Sequence, residues 1–373
     1  MKKILFLFGT RPEAIKMSPL VKTFSLDSNF IVKVGVTAQH REMLDQVLDF
    51  FKIDVDYDLN IMKPNQSLHE LTANLILKIT EEILEKEDFD FVFVQGDTTT
   101  VLAGSLASFY KKIKVVHIEA GLRSSDIYSP FPEEMNRVLT SKIANYHFCP
   151  TQTSAENLFK ENIRDNVFVV GNTVIDALLL GLEEIKNSSK NDLIKKYETI
   201  DFSKKIILVT CHRRENFGNP FEEICDALLE IADSFKERVQ IIYPVHLNPN
   251  IKEIAYAKLI RENIKLIPPL DYPDLIWMMS NSDIILTDSG GIQEEAPSLG
   301  KPVLVLREVT ERMEGVDAGT ALLVGSKKSK IVAETSKLLT DGSYYSKISK
   351  AVNPYGDGTA SEKIKEIILT HEQ

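Results

Sequence analysis

The sequence is poor in cysteine and tryptophan, short of positive charge, and without a long apolar run. Cys149, Cys211 and Cys225 are its only cysteines. This odd, sparse set without CxxC spacing excludes a disulfide framework and a cysteine-held zinc, and fits a reducing compartment. After Lys2 and Lys3 the apolar run Ile4 to Phe8 ends at Gly9-Thr10-Arg11, too short for a signal peptide. Charge-free stretches such as Thr98 to Tyr110 fall well below the roughly 20 apolar residues that span a bilayer. A soluble, cytoplasmic protein with no membrane contact is expected. Lys and Arg number 44 against 54 Asp and Glu, a formal net charge of −10, so a nucleic-acid backbone would meet a repulsive field. No GxGxxG follows the first apolar run and no GxxxxGK[ST] occurs, which argues against a tightly held dinucleotide and against P-loop hydrolysis. Internal repeats, low-complexity tracts and heptads are also missing.

What is present is a globular composition. At 43% hydrophobic and 26% charged residues, the chain can bury a core and is not disordered. Its 373 residues predict two or three domains at about 150 residues each. Short runs rich in Ile, Val, Leu and Phe alternate with longer amphipathic segments, the pattern of parallel strands covered by helices on both faces. The first series is Lys3 to Phe8, Ile31 to Val36, Phe89 to Val94, Lys114 to Ile118, Tyr146 to Cys149 and Val167 to Val170. One helical segment is Ser67 to Lys86, with Leu68, Leu71, Leu75, Ile79 and Ile83 as its apolar stripe. After a polar, lysine-rich segment, Lys186 to Lys205, a second series runs Ile206 to Thr210, Val239 to Pro244, Ile264 to Pro268, Asp283 to Thr287, Pro302 to Leu306 and Ala321 to Val324. The expected fold class is therefore α/β, with two doubly wound Rossmann-like domains, residues 1–185 and 186–354, and a cleft between them.

In such sheets ligands bind beyond the carboxyl ends of the strands, and those positions are loaded with polar groups. Thr287-Asp288-Ser289-Gly290-Gly291-Ile292-Gln293-Glu294-Glu295 reads either as an ordinary glycine-rich turn into a helix or as a cradle whose amides hold a diphosphate, leaving Glu295 for ribose hydroxyls. Arg11 and Lys16 flank Pro12 at the start of a helix; they fit solvated surface groups or cations facing a ligand, as do Arg213, Arg214 and Arg312. Asp97, Glu119 and Glu133 fit helix caps singly, and together a carboxylate cluster suited to proton transfer. His212 after a strand is either structural or a group that protonates a leaving phosphate. Cys211 beside it points to the opposite face of the strand, which excludes a thiol dyad. His117 and Glu119 share a face without a third ligand, which disfavours zinc.

Six ordered motifs then coincide: Gly9-Thr10-Arg11-Pro12-Glu13-Ala14-Ile15-Lys16, Gln95-Gly96-Asp97-Thr98-Thr99-Thr100, His117-Ile118-Glu119-Ala120-Gly121-Leu122-Arg123, Phe131-Pro132-Glu133-Glu134-Met135-Asn136-Arg137, His212-Arg213-Arg214-Glu215-Asn216, and the Asp288 to Glu295 segment. Together with Asn353-Pro354-Tyr355-Gly356-Asp357-Gly358, they resemble the non-hydrolysing UDP-N-acetylglucosamine 2-epimerases over nearly the whole chain. The resemblance implies a glycosyltransferase-B architecture, usually dimeric, with the C-terminal helix, residues 355–373, crossing back onto the first domain. It also implies interconversion of UDP-GlcNAc and UDP-ManNAc through elimination of UDP and re-addition to a glycal, with no cofactor and no metal.

By the same resemblance Asp97, Glu119 and Glu133 are acid, base and cation stabilisers, and His212 assists departure of UDP. Arg11, Lys16, Ser289, Gly290, Gly291, Glu295 and Arg312 are UDP-binding positions, with Leu275 walling the pocket. Gln39, His40, Gln66, Arg213 and His246 resemble a site where some bacterial members hold a second UDP-GlcNAc as activator. Two enzymatic alternatives are a hydrolysing relative that releases ManNAc and UDP and an epimerase of a modified UDP-HexNAc; Pro12 to Lys16 speaks against the former. A retaining glycosyltransferase would leave the three acids without a joint purpose, and a sugar-nucleotide sensor would not need them.

Overall fold

The structure, a computed structural model, describes residues 1–37, 41–62, 66–188 and 190–371. The chain divides into two compact units, Met1–Leu180 with Tyr355–Gln373, and Gly181–Pro354.

The first unit holds β1 (Lys2–Phe8), β2 (Phe30–Val36), β3 (Tyr57–Asp58), β4 (Phe91–Gln95), β5 (Lys114–Ile118), β6 (Tyr146–Cys149) and β7 (Val167–Val169). They form one parallel sheet in the order β3-β2-β1-β4-β5-β6-β7. Its central strands are apolar along their length because helices cover both faces: Ile4 to Phe8 and Phe91 to Val94 are buried. Phe24 of the helix Arg11–Ser25 interlocks with Phe6, Phe30 and Phe93 of the sheet, with centroids 4.8–5.7 Å apart.

The second unit holds β8 (Lys205–Thr210), β9 (Val239–Pro244), β10 (Ile264–Ile267), β11 (Ile284–Thr287), β12 (Val303–Val305) and β13 (Ala321–Leu323), again all parallel, in the order β10-β9-β8-β11-β12-β13. Ile207, Val209, Tyr243, Leu286 and Leu304 face the helices Asn219–Ser234 and Lys328–Thr340 in its core. In each sheet the winding reverses once, between β1 and β4 and between β8 and β11. A crevice opens where two neighbouring connections leave in opposite directions.

Three details depart from the sequence pattern. β3 is two residues long and carries no recognisable apolar run. The Ser67 to Lys86 segment is an α-helix only over Leu68–Ile79, then a π-turn over Thr80–Leu84, which inserts an extra residue into the period. Leu71, Leu75, Ile79 and Ile83 are buried but Leu68 is exposed. The lysine-rich segment after Lys186 is largely helical, closing the helix Thr173–Ser188 and forming Lys190–Lys196, since Lys is a good helix former. Among the described residues no helix is long and apolar enough to cross a membrane.

The last helix, Ala360–His371, packs on the helix Arg11–Ser25 in the first unit. The buried Asp176 carboxylate accepts the N–H groups of Ala360 and Ser361 at 3.3 and 2.7 Å, so its N-terminal cap comes from another helix. Asn172 donates to the Tyr355 carbonyl at 2.7 Å.

Candidate functional site

In the first unit three loops leave the carboxyl ends of β1, β4 and β5. Gly9 ends β1 against the paired hydroxyls of Thr37 and Thr100, 2.9 Å apart; a Cβ there would lie 2.1 Å from Thr37 Oγ1, so only glycine fits. The chain then enters the helix at Arg11, which is partly exposed. The buried Glu13 closes this turn, accepting the N–H groups of Gly9 and Thr10 and the Thr10 hydroxyl at 3.2, 2.8 and 2.7 Å. Its other oxygen accepts the Thr98 hydroxyl at 2.9 Å, which ties the β1 loop to the β4 loop. Burial outweighs these donors and raises the Glu13 carboxyl to about 7.

After β4 the chain turns through Gly96 at φ 78°. The helix Thr99–Tyr110 is capped by Thr98, not by Asp97, which frees the Asp97 carboxylate to pair with Arg137. Asn136 donates to the Asp97 carbonyl at 2.9 Å, and His117 Nε2 bonds the Gly96 carbonyl at 2.8 Å. His117 is fully buried and pushed down to about 4 by that burial; its neutral ring spends its N–H on a carbonyl, so it positions the Asp97 loop. Burial chiefly, with Glu119 nearby, raises the Asp97 carboxyl against the pull of Arg137.

Glu119 follows β5 in the left-handed region at φ 62° and is 8% exposed. A non-glycine residue held there marks a site whose surroundings over-determine the backbone. Its Oε2 accepts from Lys16 Nζ at 2.5 Å and from Gln95 Nε2. Lys16 is thus the partner of Glu119. Glu133 is the first residue of the helix Glu133–Ile143 and makes no capping bond; its buried Oε2 has no hydrogen-bond partner among the described residues. It lies one turn before Arg137 on the same face. The fold brings Asp97 and Glu119 into electrostatic contact and sets Glu133 on the helix that holds Asp97. The helix-cap reading fails for Asp97 and Glu133 alike.

In the second unit β8 and β11 end side by side, with Thr210 and Thr287 hydroxyls 2.6 Å apart. Asp288, fully buried, accepts the N–H groups of His212 and Arg213 and the Asn216 amide through Oδ2 at 2.8, 2.8 and 3.0 Å. Its Oδ1 lies 3.1 Å from His212 Nδ1. Burial works against its charge, but the His212 side chain and the two amides prevail and hold it down at about 2. Cys211 sits in the apolar core with its thiol pushed well up by burial, unsuited to attack. The His246 ring stacks on His212 with centroids 5.8 Å apart.

Ser289 leads into the short helix Gly290–Glu295. A Cβ on Gly290 would come within 3.0–3.3 Å of the Arg312 guanidinium, so glycine lets Arg312 lie against the helix start, where its Nε also bonds Glu294 at 3.0 Å. Gly291 is more open, its nearest neighbour being Glu295 Oε2 at 3.7 Å. Glu295 Oε1 accepts the buried Tyr272 hydroxyl at 2.9 Å. Leu275, half-buried, lies one turn after Tyr272 on the same face of the helix Tyr272–Ser280.

Of the five activator-site residues, Gln39 and His40 lie outside the described residues. Gln66 precedes Ser67, the cap of the helix Leu68–Ile79, in the first unit. Arg213 and His246 belong to the second unit beside His212. Sequence reasoning gave no role to Glu13, Gln95, Arg137, Tyr272 or Asp288. Thr10 to Glu13 has the spacing of a capping box and Glu133 to Arg137 spans one helical turn, whereas Tyr272 carried no local signal. Among the described residues no cluster of three or more His, Cys, Asp or Glu groups is placed to hold a metal ion.

Comparison with known proteins gives a consistent result. Residues 22–369 match a family model described as UDP-N-acetylglucosamine 2-epimerase. The chain is 55% identical over 370 residues to the UDP-N-acetylglucosamine 2-epimerase of Escherichia coli K12, covering 98% of each. Its structure is similar to the crystal structure of UDP-GlcNAc 2-epimerase from Neisseria meningitidis bound to UDP-GlcNAc, with 51% identity, a TM-score of 0.88, and coverage of 98% of this chain and 99% of that one. It also resembles the S. aureus MnaA co-structure with UDP, at 47% identity and a TM-score of 0.84, covering 100% of this chain and 97% of that one. Both second-unit and first-unit elements lie within these matches.

Proposed function

This chain belongs to the UDP-N-acetylglucosamine 2-epimerase family, an isomerase family, and from that premise we propose that it interconverts UDP-GlcNAc and UDP-ManNAc by elimination and re-addition of UDP, without net hydrolysis. The observation that carries this reading is the pairing of two unlike carboxyls at one strand-end crevice: Asp97, raised by burial, beside Glu119, fixed through one oxygen by Lys16 and Gln95.

The C2 proton of the sugar is not acidic, for no carbonyl adjoins it. As the C1–O bond breaks and its electron pair leaves with UDP, positive charge at C1 acidifies that proton. A carboxylate removes it, the C–H pair becomes the C1=C2 bond, and 2-acetamidoglucal and UDP result. Return of a proton to the opposite face of C2, with attack of the UDP oxygen on C1, gives the epimer. Two proton carriers are required, one for each face of C2, and they exchange roles in the reverse direction. We assign these to Glu119 and Asp97, with Glu133 completing the carboxylate set that stabilises charge at C1. Lys16 acts through Glu119. Amide N–H groups at Ser289, Gly290 and Gly291, with Arg312 and Arg11, neutralise the diphosphate, Glu295 takes the ribose hydroxyls, Leu275 walls the base, and His212 assists the leaving oxygen.

A homodimer, and a second UDP-GlcNAc as activator at Gln39, His40, Gln66, Arg213 and His246, are part of this proposal and rest on resemblance. Cytoplasmic residence is supported by three unpaired, buried cysteines. The test is incubation of UDP-GlcNAc with the protein in deuterated water, followed by NMR. UDP-ManNAc carrying deuterium at C2 is expected. Free ManNAc as the main product would assign the hydrolysing reaction, and conversion without deuterium at C2 would reject elimination.

A further inference from the structure

His212 has one ring nitrogen facing a carboxylate, and this constrains its chemistry. We propose that Asp288 is the positioning residue that holds His212 as an Nδ1–H imidazole with Nε2 turned to the departing diphosphate oxygen. The proposal rests on the reading of His212 as the group that meets that oxygen.

The geometry is asymmetric. Asp288 Oδ2 accepts three N–H groups, from the His212 and Arg213 backbones and the Asn216 side chain, and these fix the carboxylate plane. Oδ1 lies 3.1 Å from His212 Nδ1. Oδ1 has no hydrogen-bond partner among the described residues, so the contact is an ion-pair approach and not a formed hydrogen bond. A carboxylate offers only lone pairs, so a lone pair on Nδ1 would be repelled, which favours hydrogen on Nδ1 and leaves the lone pair of the neutral ring on Nε2. A protonated ring carries hydrogen on both nitrogens. In that form Nε2–H moves its proton toward the oxygen that receives the C1–O electron pair, and recovers it when that oxygen re-adds to C1. The His212 side chain is 42% exposed while Asp288 is fully buried, so the pair presents one reactive nitrogen and shields the other.

The remaining neighbours do not compete. His246 stacks on His212, but its own Nδ1 is occupied, accepting the Asn248 N–H at 3.1 Å. On the His212 loop, Arg213 and Arg214 are positive and oppose the imidazolium, and Arg307 binds Glu215 at 2.5 Å. Beneath it, burial keeps the Cys211 thiol and the Tyr243 hydroxyl neutral. From the β11 side Glu294 is taken by Arg312 at 3.0 Å. Asp288 is therefore the carboxylate that faces His212 Nδ1.

Asp288→Asn separates this role from a merely structural one. The amide oxygen can still accept the three N–H groups, so the loop stays tied, but the amide NH2 then confronts Nδ1 and forces hydrogen onto Nε2. Histidine-selective 15N NMR of the intact protein should show the His212 tautomer reversed. kcat should fall about a hundredfold, within the range for loss of a proton-transfer group, with KM little changed. In a His212→Asn background the same change should cost almost nothing further, since two residues acting as a unit are not additive. An unchanged His212 tautomer, or additive losses in the double variant, would overturn the proposal. The C2 position tests the underlying reaction separately: if the unaltered enzyme forms UDP-ManNAc in deuterated water without deuterium at C2, elimination fails whatever Asp288 does, and the NMR result still decides the tautomer of His212.

Discussion

Glu13 is the residue whose environment most contradicts its local role. Thr10 to Glu13 is a capping spacing, and a capping glutamate is ordinarily ionised and half in water. Here the β4 loop closes over it through Thr98, and desolvation carries its carboxyl from 4.5 to about 7. Between those values the folded protein keeps a proton that the unfolded chain releases. The folded state thus binds more protons, and stability falls as pH rises through that window, by about 3 kcal/mol at 1.36 kcal/mol per pH unit. Glu13→Gln keeps the acceptor for Gly9 and Thr10 and can donate to the Thr98 hydroxyl. Urea midpoints for the variant should lose this descent between pH 5 and pH 7, and equal slopes in the two proteins would show that Glu13 is ionised in the fold. Glu119 presents the opposite case: nothing local marks a glutamate for φ 62°, and its role was legible only because its motif coincided with five others. Glu119→Gln should lower C2 deuterium exchange by more than a hundredfold and leave UDP binding by calorimetry within a few-fold.

Elements were legible where burial on both faces enforces a continuous apolar run, and least legible where pairing is brief. Tyr146 to Cys149 and Val239 to Pro244 read as strands because they are mostly apolar, each with a single strongly polar side chain, His147 or Gln240, that the fold buries. β3 borrows its strand character from Gly35 and Val36 beside it, a relation no window of sequence contains. The helix Glu133–Ile143 shows why the acid cluster was legible while its supports were not. Spacing puts Glu133, Asn136 and Arg137 on one face, but only the sheet order sets that face against the Asp97 loop. The short helix Gly290–Glu295 makes a sharper prediction. The three atoms nearest a methyl group at Gly290 all belong to the guanidinium of Arg312, at 3.0–3.3 Å, so Gly290→Ala should displace a flexible cation and leave the core undisturbed. Affinity for UDP should fall roughly tenfold, about the loss of one charge-assisted hydrogen bond, with the melting temperature nearly unchanged. Unaltered UDP affinity would remove Arg312 from the diphosphate site.

At the scale of the molecule, chain order and structural membership part company. The sheets were readable as two series of strands, yet the first unit is completed by residues 355–373, after the second has ended. The join is specific: Asp176 caps the helix Ala360–His371 from the helix Thr173–Ser188, and Gly358, at φ 83°, leaves no room for a side chain beside Leu179. A carboxylate in the first turn of one helix gives no sign in the sequence that it serves the N-terminus of another nearly two hundred residues away. Burial raises the Asp176 carboxyl while the Ser361 and Ala360 donors oppose it, so it remains a costly group to replace without a substitute acceptor. Asp176→Ala should remove about 1 kcal/mol of capping stabilisation and loosen the last helix first, because a frayed cap opens locally before the sheet does. Hydrogen exchange should then quicken in residues 360–371 and in the helix Arg11–Ser25 that they cover, while amides of β8 and β11 exchange as before. Faster exchange spread equally over both sheets would instead mean that the last helix stabilises the chain as one cooperative body, and that the two units do not open independently.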